Sequence, residues 1–271
     1  MLVGLLKNSE TWCDSIHHIF TLWLPDSQNR REISFSGIER IQIHTDNQRV
    51  LIKGSSLPST KISFDANSIQ INRFRKSLVI NNKSSARSEL VIVLPKKLKF
   101  IQLEAENALN ATFDKIRVNA LSIAAKKGKV ELKQTQANEA KINLNAGKLF
   151  IQDSNMYAVS INTNTGAIRF DNMLINTANI KNTSGSFLAA RMSMREAIIN
   201  SVSGNIRWEG FVHYADLETD SGKIYCLLPK DFHGKFKAIS GSGSIEKPLD
   251  RDGSDTIEIK TISGNVKVIQ K

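Results

Sequence analysis

The sequence predicts an all-β fold, namely a single-stranded parallel β-solenoid, or β-helix, with coils of about 19 residues and a short N-terminal capping segment. Glycines recur every 19 residues, at Gly128, Gly147, Gly166, Gly185 and Gly204. Isoleucines keep the same interval, at Ile123, Ile142, Ile161, Ile180 and Ile199. A fixed period near 20 residues indicates units that bury their apolar faces only against the next copy.

Alternation around each glycine predicts short strands. With each glycine as position zero, position +2 is apolar at Val130, Leu149, Ile168, Phe187, Ile206, Ile224, Ile245 and Val266. Position +4 is apolar at Leu132, Ile151, Phe170, Ala189, Trp208, Cys226 and Val268, with Lys247 as the exception. Charged residues occupy positions between them. A period of two is typical of a half-buried strand, so each unit is expected to hold two short strands around a turn.

The turn at position zero reads Ser-Gly or Thr-Gly in six units, from Thr165-Gly166 to Ser263-Gly264. A tight corner with positive φ favours glycine, because a side chain there costs about 1–2 kcal/mol. Leu109 takes the turn position of the first coil, which is degenerate. The last turns, Gly222, Gly243 and Gly264, are spaced less regularly, and we expect their units to stack in sequence order with small loop insertions.

Three segments are predicted from these patterns. Residues 1–24 hold two broken apolar stretches, too interrupted for a membrane span or a secretory signal, and are expected to cap the first coil. A membrane-surface anchor is the alternative for this extension. Residues 25–100 form an irregular β segment that leads into the solenoid, and residues 101–271 form the regular repeats.

The chemistry-bearing residues favour neither a metal nor a cofactor. Two cysteines, Cys13 and Cys226, make no disulfide framework, and Cys226 falls at an inward position. The five histidines lie in unrelated segments without metal-ligand spacing. The sequence therefore predicts no metal site and no cofactor.

Catalysis by a β-helix glycosidase or lyase requires carboxylates stacked on neighbouring coils. Position +5 offers Asp171 and Glu209, two coils apart with Ala190 between them, and position +6 offers Asp153. No stacked acidic pair is found in sequence order, and nucleophile and phosphate-loop motifs are absent. The chain is therefore predicted not to be an enzyme.

A basic cluster lies within residues 73–99, where eight basic side chains face one acidic side chain, Glu89. The predicted binding residues for an anionic surface are Arg73, Arg75, Lys76, Lys83, Arg87, Lys96, Lys97 and Lys99. Such a cluster favours an anionic membrane or a cell-wall polymer. Nucleic acid is disfavoured because stacking aromatics are sparse. The alternative is a solvated face that prevents edge-to-edge pairing of strands.

Three Ser-Gly units carry a family resemblance: Val202-Ser203-Gly204-Asn205-Ile206, Asp220-Ser221-Gly222-Lys223-Ile224 and Ile262-Ser263-Gly264-Asn265-Val266. Leu94-Pro95-Lys96 and Leu228-Pro229-Lys230 each precede a coil. Over roughly residues 33–271 the chain resembles the bacterial β-strand-repeat proteins known as "putative adhesins", a family of unknown function. The resemblance implies a β-solenoid at the cell envelope, in a Gram-positive organism, with no catalytic residues to carry over.

These observations predict a non-enzymatic interaction or scaffold module, adhesin-like and associated with the cell envelope, with affinity for anionic surfaces. One alternative is a cytoplasmic scaffold that assembles end to end, since the clean last unit, residues 257–268, suggests an uncapped final coil. Another is a carbohydrate-active β-helix enzyme. The resemblance favours the envelope, whereas the lack of a recognisable signal leaves a cytoplasmic location open. A protein partner and self-assembly also remain open.

Overall fold

A computed structural model describes residues 30–46, 48–65, 69–82, 89–95 and 97–271. The predicted cap over residues 1–24 lies outside this range. The strands are β1 (Arg30–Ser36), β2 (Arg40–Thr45), β3 (Gln48–Gly54), β4 (Ser59–Asp65), β5 (Ile69–Phe74), β6 (Ser77–Asn82), β7 (Glu89–Leu94), β8 (Leu98–Asp114), β9 (Arg117–Lys133), β10 (Gln136–Ser184), β11 (Phe187–Ser203), β12 (Ile206–Ser221), β13 (Ile224–Leu228), β14 (Gly234–Ser240), β15 (Ile245–Glu246), β16 (Asp255–Ser263) and β17 (Val266–Gln270).

The prediction of an all-β chain is confirmed. Across the described ranges, 17 strands join in one sheet and no helix occurs. None of these residues therefore forms a helix with the length and apolar character of a membrane span. Strands β8 to β12 pair in parallel, and residues 19 apart lie side by side, as Ile142 does beside Ile123. The sequence period is thus the pairing register of the central strands.

The core follows the predicted alternation. The isoleucines five positions before each glycine are fully or almost fully buried, and so are the residues at +2 and +4 in most units. Side chains from successive repeats form continuous apolar columns because each inward position recurs at the same register. Ile245 departs from the pattern with 42% exposure.

The glycine corner has two physical causes, of which the sequence reveals one. Gly128, Gly147, Gly166 and Gly185 have positive φ, as expected. Gly204, Gly222, Gly243 and Gly264 do not, so the predicted reason is wrong for them. Their common constraint is contact between repeats, because a Cβ on Gly204 would meet the carbonyl oxygen of Gly185. Glycine is required where backbones of neighbouring repeats approach each other closely.

A second corner with positive φ was not predicted. Five residues other than glycine adopt φ between 49° and 55° at an interval of 19, namely Lys115, Gln134, Asp153, Asn172 and Arg191. Gly210 takes the equivalent place in the next repeat, opposite Met192. Asn172 donates a hydrogen bond from Nδ2 to Oδ1 of Asp153, at 2.6 Å. These short polar residues tolerate the left-handed region better than most, which is why the corner has no glycine signature.

The C-terminal units do not stack in sequence order, so that expectation is wrong. Ile224 lies beside Val266, and Val266 lies beside Ile245. The last repeat, β16 and β17, therefore sits between β12–β13 and β14–β15. Its inward residues are strongly apolar, whereas the β14–β15 unit has Lys247 at position +4. The more apolar unit occupies the buried layer, and the more polar unit takes the exposed end.

The N-terminal strands show a similar displacement. Ile41 of β2 lies between Ile101 of β8 and Leu78 of β6, and β3 lies between β8 and β7. Three pairings are antiparallel: β1 with β4, β4 with β7, and β5 with β6. Among the described residues, β1 and β5 each have one neighbouring strand and form the edges. The predicted segment boundary between residues 100 and 101 falls inside β8.

Candidate functional site

The predicted basic cluster lies at the N-terminal edge of the sheet. Arg73, on edge strand β5, donates from Nη2 to the Ser36 carbonyl at 3.1 Å and from Nε to the Arg75 carbonyl at 3.2 Å. Arg75 occupies the β5–β6 turn with φ of 52°, and its guanidinium lies 5.5 Å from the ring centre of Phe74. Both side chains thus contribute to local structure at an edge.

Two further members of the cluster are neutralised by an acid outside the cluster. Lys76 and Lys99 each place Nζ 2.7 Å from a carboxylate oxygen of Glu39. Hydrogen bonds from these two ammonium groups lower the pKa of Glu39 to about 2. Charge that the sequence assigns to free surface is therefore paired in the fold. Lys83, Arg87 and Lys96 lie outside the described residues.

Lys97 belongs to a different face, where a groove runs across the repeats. The groove has a volume of about 630 Å³. Its floor comes from inward residues ten positions before each glycine, and its walls come from the positions on either side. One wall consists of Arg117, Gln136, Asn155, Leu174 and Ser193, and the other of Asn119, Asn138, Tyr157, Asn176 and Arg195. Lys97 and His213 lie at its two ends in register.

The lining of the groove has positive charge and no carboxylate. Lys97, Arg117 and Arg195 are its permanent charges, and none has an ion-pair partner in the described part of the chain. His213 contacts Asp255 through Nδ1 at 2.8 Å. The groove is therefore an anion-attracting surface in a chain that also has 26 acidic residues.

Polar amides and two exposed apolar side chains fill the middle of the groove. Tyr157 is 64% exposed and Leu174 is 53% exposed. The groove amides make no side-chain hydrogen bond within the described ranges, in contrast to another face, where Asn162 donates to Asn143 at 3.1 Å and Asn164 donates to Asn145 at 3.2 Å. Groove amides are thus available to a ligand as both donors and acceptors.

Sequence reasoning missed the groove although its residues obey the same period. The two walls correspond to positions −11 and −9 from each glycine, beyond the strands that the apolar alternation identifies. Residue types there vary, so no column of identical residues marks them. Reading all 19 positions as columns would have placed these residues together, although concavity of the face depends on the second corner.

Carboxylates on neighbouring repeats require a correction to the catalytic analysis. In the folded register Asp216 lies beside Glu258, a pair that sequence-order stacking does not bring together. Lys237 binds Glu258 at 2.8 Å and lowers the pKa of that carboxyl by its hydrogen bond, while Lys260 lies 3.9 Å from Asp216. A general acid needs a raised pKa, so Glu258 does not fit that role.

The other acids considered for catalysis are also separated or paired. Asp171 binds Arg191 at 2.7 Å, and Glu209 lies opposite Leu227. No group of three potential metal ligands occurs among the residues with described positions. Cys226 is buried beside Val268, and burial raises the pKa of its thiol to about 12, which leaves it unreactive in the folded chain.

Comparisons with known proteins agree with this architecture. The sequence profile of the Toastrack DUF4097 family matches residues 32–270. The chain therefore belongs to this family, and the resemblance inferred from its Ser-Gly units is confirmed. None of the curated proteins matches the chain.

Solved structures from Parabacteroides have a similar fold. A "putative adhesin" from Parabacteroides merdae has a TM-score of 0.55 at 16% identity, over 89% of this chain and 95% of that chain. A "putative adhesin" from Parabacteroides distasonis has a TM-score of 0.53 at 13% identity, over 89% and 96%. A "putative lipid binding protein" from the same species has a TM-score of 0.54 at 15% identity, over 90% and 98%. At these identities the likeness concerns the fold.

Proposed function

We propose that this chain is a non-enzymatic interaction module of the bacterial cell envelope, and that its repeats form a parallel β-solenoid whose groove binds anionic partners. The 19-residue parallel register of the central strands supports the solenoid. The names of the structural neighbours support an adhesin-like or lipid-binding role. The observation that carries the proposal is a groove whose permanent charges are all positive and unpaired.

The groove is a stronger binding surface than the basic cluster for an electrostatic reason. Lys76 and Lys99 already share Glu39, so an incoming anion would compete with a carboxylate in contact with both lysines. Lys97, Arg117 and Arg195 have no such competitor. Unpaired charges that converge on a concave face raise the local concentration of anions more than paired charges on an edge. The cluster remains the second candidate surface, as the sequence predicts.

Vesicle binding tests the proposal with two matched variants. The groove variant carries Lys97→Gln, Arg117→Gln and Arg195→Gln, and the edge variant carries Arg73→Gln, Arg75→Gln and Lys76→Gln. Each loses three positive charges, so their net charges are equal. Co-sedimentation would use phosphatidylglycerol vesicles, with phosphatidylcholine vesicles as the neutral control, and melting temperatures would verify folding.

We expect the parent chain to bind anionic vesicles at low salt and the groove variant to lose most of this binding. Raising the salt concentration should weaken binding steeply, because the Debye length falls from about 30 Å at 0.01 M to about 8 Å at 0.15 M. A greater loss in the edge variant would assign binding to the basic cluster. Equal binding by all three proteins, or binding indifferent to salt, would refute an electrostatic contact at either surface.

A further inference from the structure

We infer that the groove binds an acidic polysaccharide in an extended conformation, with the glycan chain lying along the stack of repeats. This inference rests on the proposed anionic binding function and names its ligand class. It follows from three features: the distribution of charge along the groove, the spacing of its amides, and one exposed aromatic ring at its centre.

The charges favour a long ligand rather than a single anion. Arg117 lies near one end of the groove and Arg195 near the other, four repeats away. Four steps at the usual strand spacing of about 4.8 Å separate them by about 19 Å. No single phosphate or carboxylate reaches both. A chain with several anionic groups would contact both arginines and Lys97 at once.

The spacing of the amides favours a glycan over a peptide. Asn119 and Asn138 are neighbours across adjacent strands, so successive groove positions repeat at about 4.8 Å, while an extended peptide advances only about 3.3 Å per residue. A peptide would fall out of register with the amides within two residues. A β-linked pyranose chain has a repeat close to the strand spacing, so each ring can meet one repeat. Its hydroxyl groups both donate and accept, which matches the amides.

The centre of the groove provides an aromatic surface for a sugar ring. Tyr157 is 64% exposed and stands between Asn138 and Asn176 on the same wall. An exposed aromatic ring without a packing partner is costly to hydrate and offers an apolar face for C–H groups of a pyranose. Peptide recognition by strand addition is not available here, because the central strands are paired on both sides and the groove crosses them.

Titration calorimetry with defined oligosaccharides tests the inference. The ligands are β-1,4-linked oligoglucuronates of two, four and six rings, with neutral cello-oligosaccharides of the same lengths as controls and poly-L-glutamate as the acidic peptide. We expect affinity to increase about tenfold or more from two rings to four, because the longer chain reaches charges at both ends of the groove. The neutral series should bind far more weakly.

Two substitutions separate glycan recognition from general attraction of anions. Tyr157→Ala should weaken oligoglucuronate binding about tenfold, whereas Tyr157→Phe should retain it. Phe74→Ala is the matched control, because Phe74 is 63% exposed but lies at the N-terminal edge. Its binding should equal that of the parent chain.

The outcomes distinguish this inference from the proposed function. If poly-L-glutamate or phosphatidylglycerol vesicles require the groove charges but oligoglucuronates do not bind, the anionic groove stands and the glycan assignment is overturned. Glucuronate binding that ignores both chain length and Tyr157 would also overturn it. If no anionic probe depends on Lys97, Arg117 and Arg195, both proposals fail.

Discussion

Contacts between repeats, more than local turn geometry, determine which single residues are irreplaceable. At the glycine corner a neighbouring carbonyl oxygen occupies the space that a β-carbon would need, whether φ is positive or not. Columns of fully buried isoleucines impose a second constraint, because every inward side chain is enclosed by its own repeat and the two beside it. Three predictions concern this scale.

Alanine substitutions at three glycines separate the two causes of the glycine requirement. Gly37 has φ of 68° and open space around it, so Gly37→Ala should cost only about 1–2 kcal/mol. Gly204→Ala should cost more despite an ordinary φ, because its new methyl group would meet the Gly185 carbonyl oxygen. Gly185→Ala combines positive φ with contact and should cost most. Urea unfolding gives the three free energies, and a Gly204→Ala protein as stable as the parent would contradict the contact argument.

Ile161→Asp should destabilise the chain by at least about 3 kcal/mol, because Ile161 is fully buried and a carboxylate there has no partner. Thr163→Ala is the matched control two residues away. It loses one hydrogen bond, from Oγ1 to Oδ1 of Asn182 at 2.9 Å, and should cost about 1 kcal/mol. Thermal unfolding measures both, and a melting temperature for Ile161→Asp within a degree or two of the parent would mean that the column is wrong.

Glu39 should titrate far below an ordinary glutamate. Lys76 and Lys99 lower the pKa of its carboxyl from 4.5 to about 2 in the folded chain. Because the folded pKa is the lower one, this contribution to stability is present above pH 4.5 and is lost as pH falls towards 2. Carbon-detected NMR titration measures the pKa directly. Replacing both lysines by methionine should return it towards the ordinary value, and an unchanged pKa would show that the lysines are not its cause.

At the scale of elements, apolar content decides which repeat lies inside the stack. The sequence places Gly264 last, yet its repeat is buried between two others, while the preceding repeat takes the end. Loop residues 247–254 allow this return by carrying the chain from β15 back to β16. Sequence order is therefore a good guide to stacking where spacing is regular, and a poor one where the spacing changes.

Two substitutions at the same repeat position test the inserted order. Val266 is 1% exposed and Ile245 is 42% exposed. Val266→Asp should therefore cost at least about 3 kcal/mol, whereas Ile245→Asp should cost less than about 1 kcal/mol. Stacking in sequence order predicts the opposite ranking, since Ile245 would then be the inner residue. Denaturant unfolding decides between them.

Labelling of Cys226 provides a second readout for the same pair. Cys226 lies beside Val268 of the inserted repeat, and its buried thiol, with a pKa near 12, should resist iodoacetamide in the parent chain. In a Cys13→Ser background, Val266→Asp should accelerate labelling by loosening β17, and Ile245→Asp should leave it slow. Equal labelling rates in the two variants would contradict the inserted order.

At the scale of the whole molecule, the ends of the stack are protected from strand addition. The final strand β14 has its outer side covered by the loop after β15: Phe236 donates its N–H to Asp250 Oδ1 at 3.0 Å, and Arg251 donates its N–H to the Gly234 carbonyl at 3.0 Å. Charged side chains such as Arg73 lie on edge strand β5 at the other end. Covered and charged edges oppose end-to-end assembly. The clean last unit that suggested assembly lies inside the stack.

Asp250→Ala should increase self-association, because it leaves the Phe236 N–H at the end of the stack without its acceptor. Asp252→Ala is the matched control, since it removes the same charge from the same exposed loop without breaking that bond. Sedimentation velocity over a range of concentrations measures the effect. Identical profiles for the two variants would show that the loop does not protect this end.

The sequence by itself determined the all-β class, the 19-residue period, the inward residues and the family, because these depend on local alternation and on glycines repeated at one interval. Three features depended on the tertiary structure. The insertion of the last repeat reflects competition among units for the buried layer. The pairing of Lys76 and Lys99 with Glu39 joins residues that are distant in the chain. The groove requires a second corner built from Gln134, Asp153 and their equivalents, whose varied residue types leave no signal at a single position.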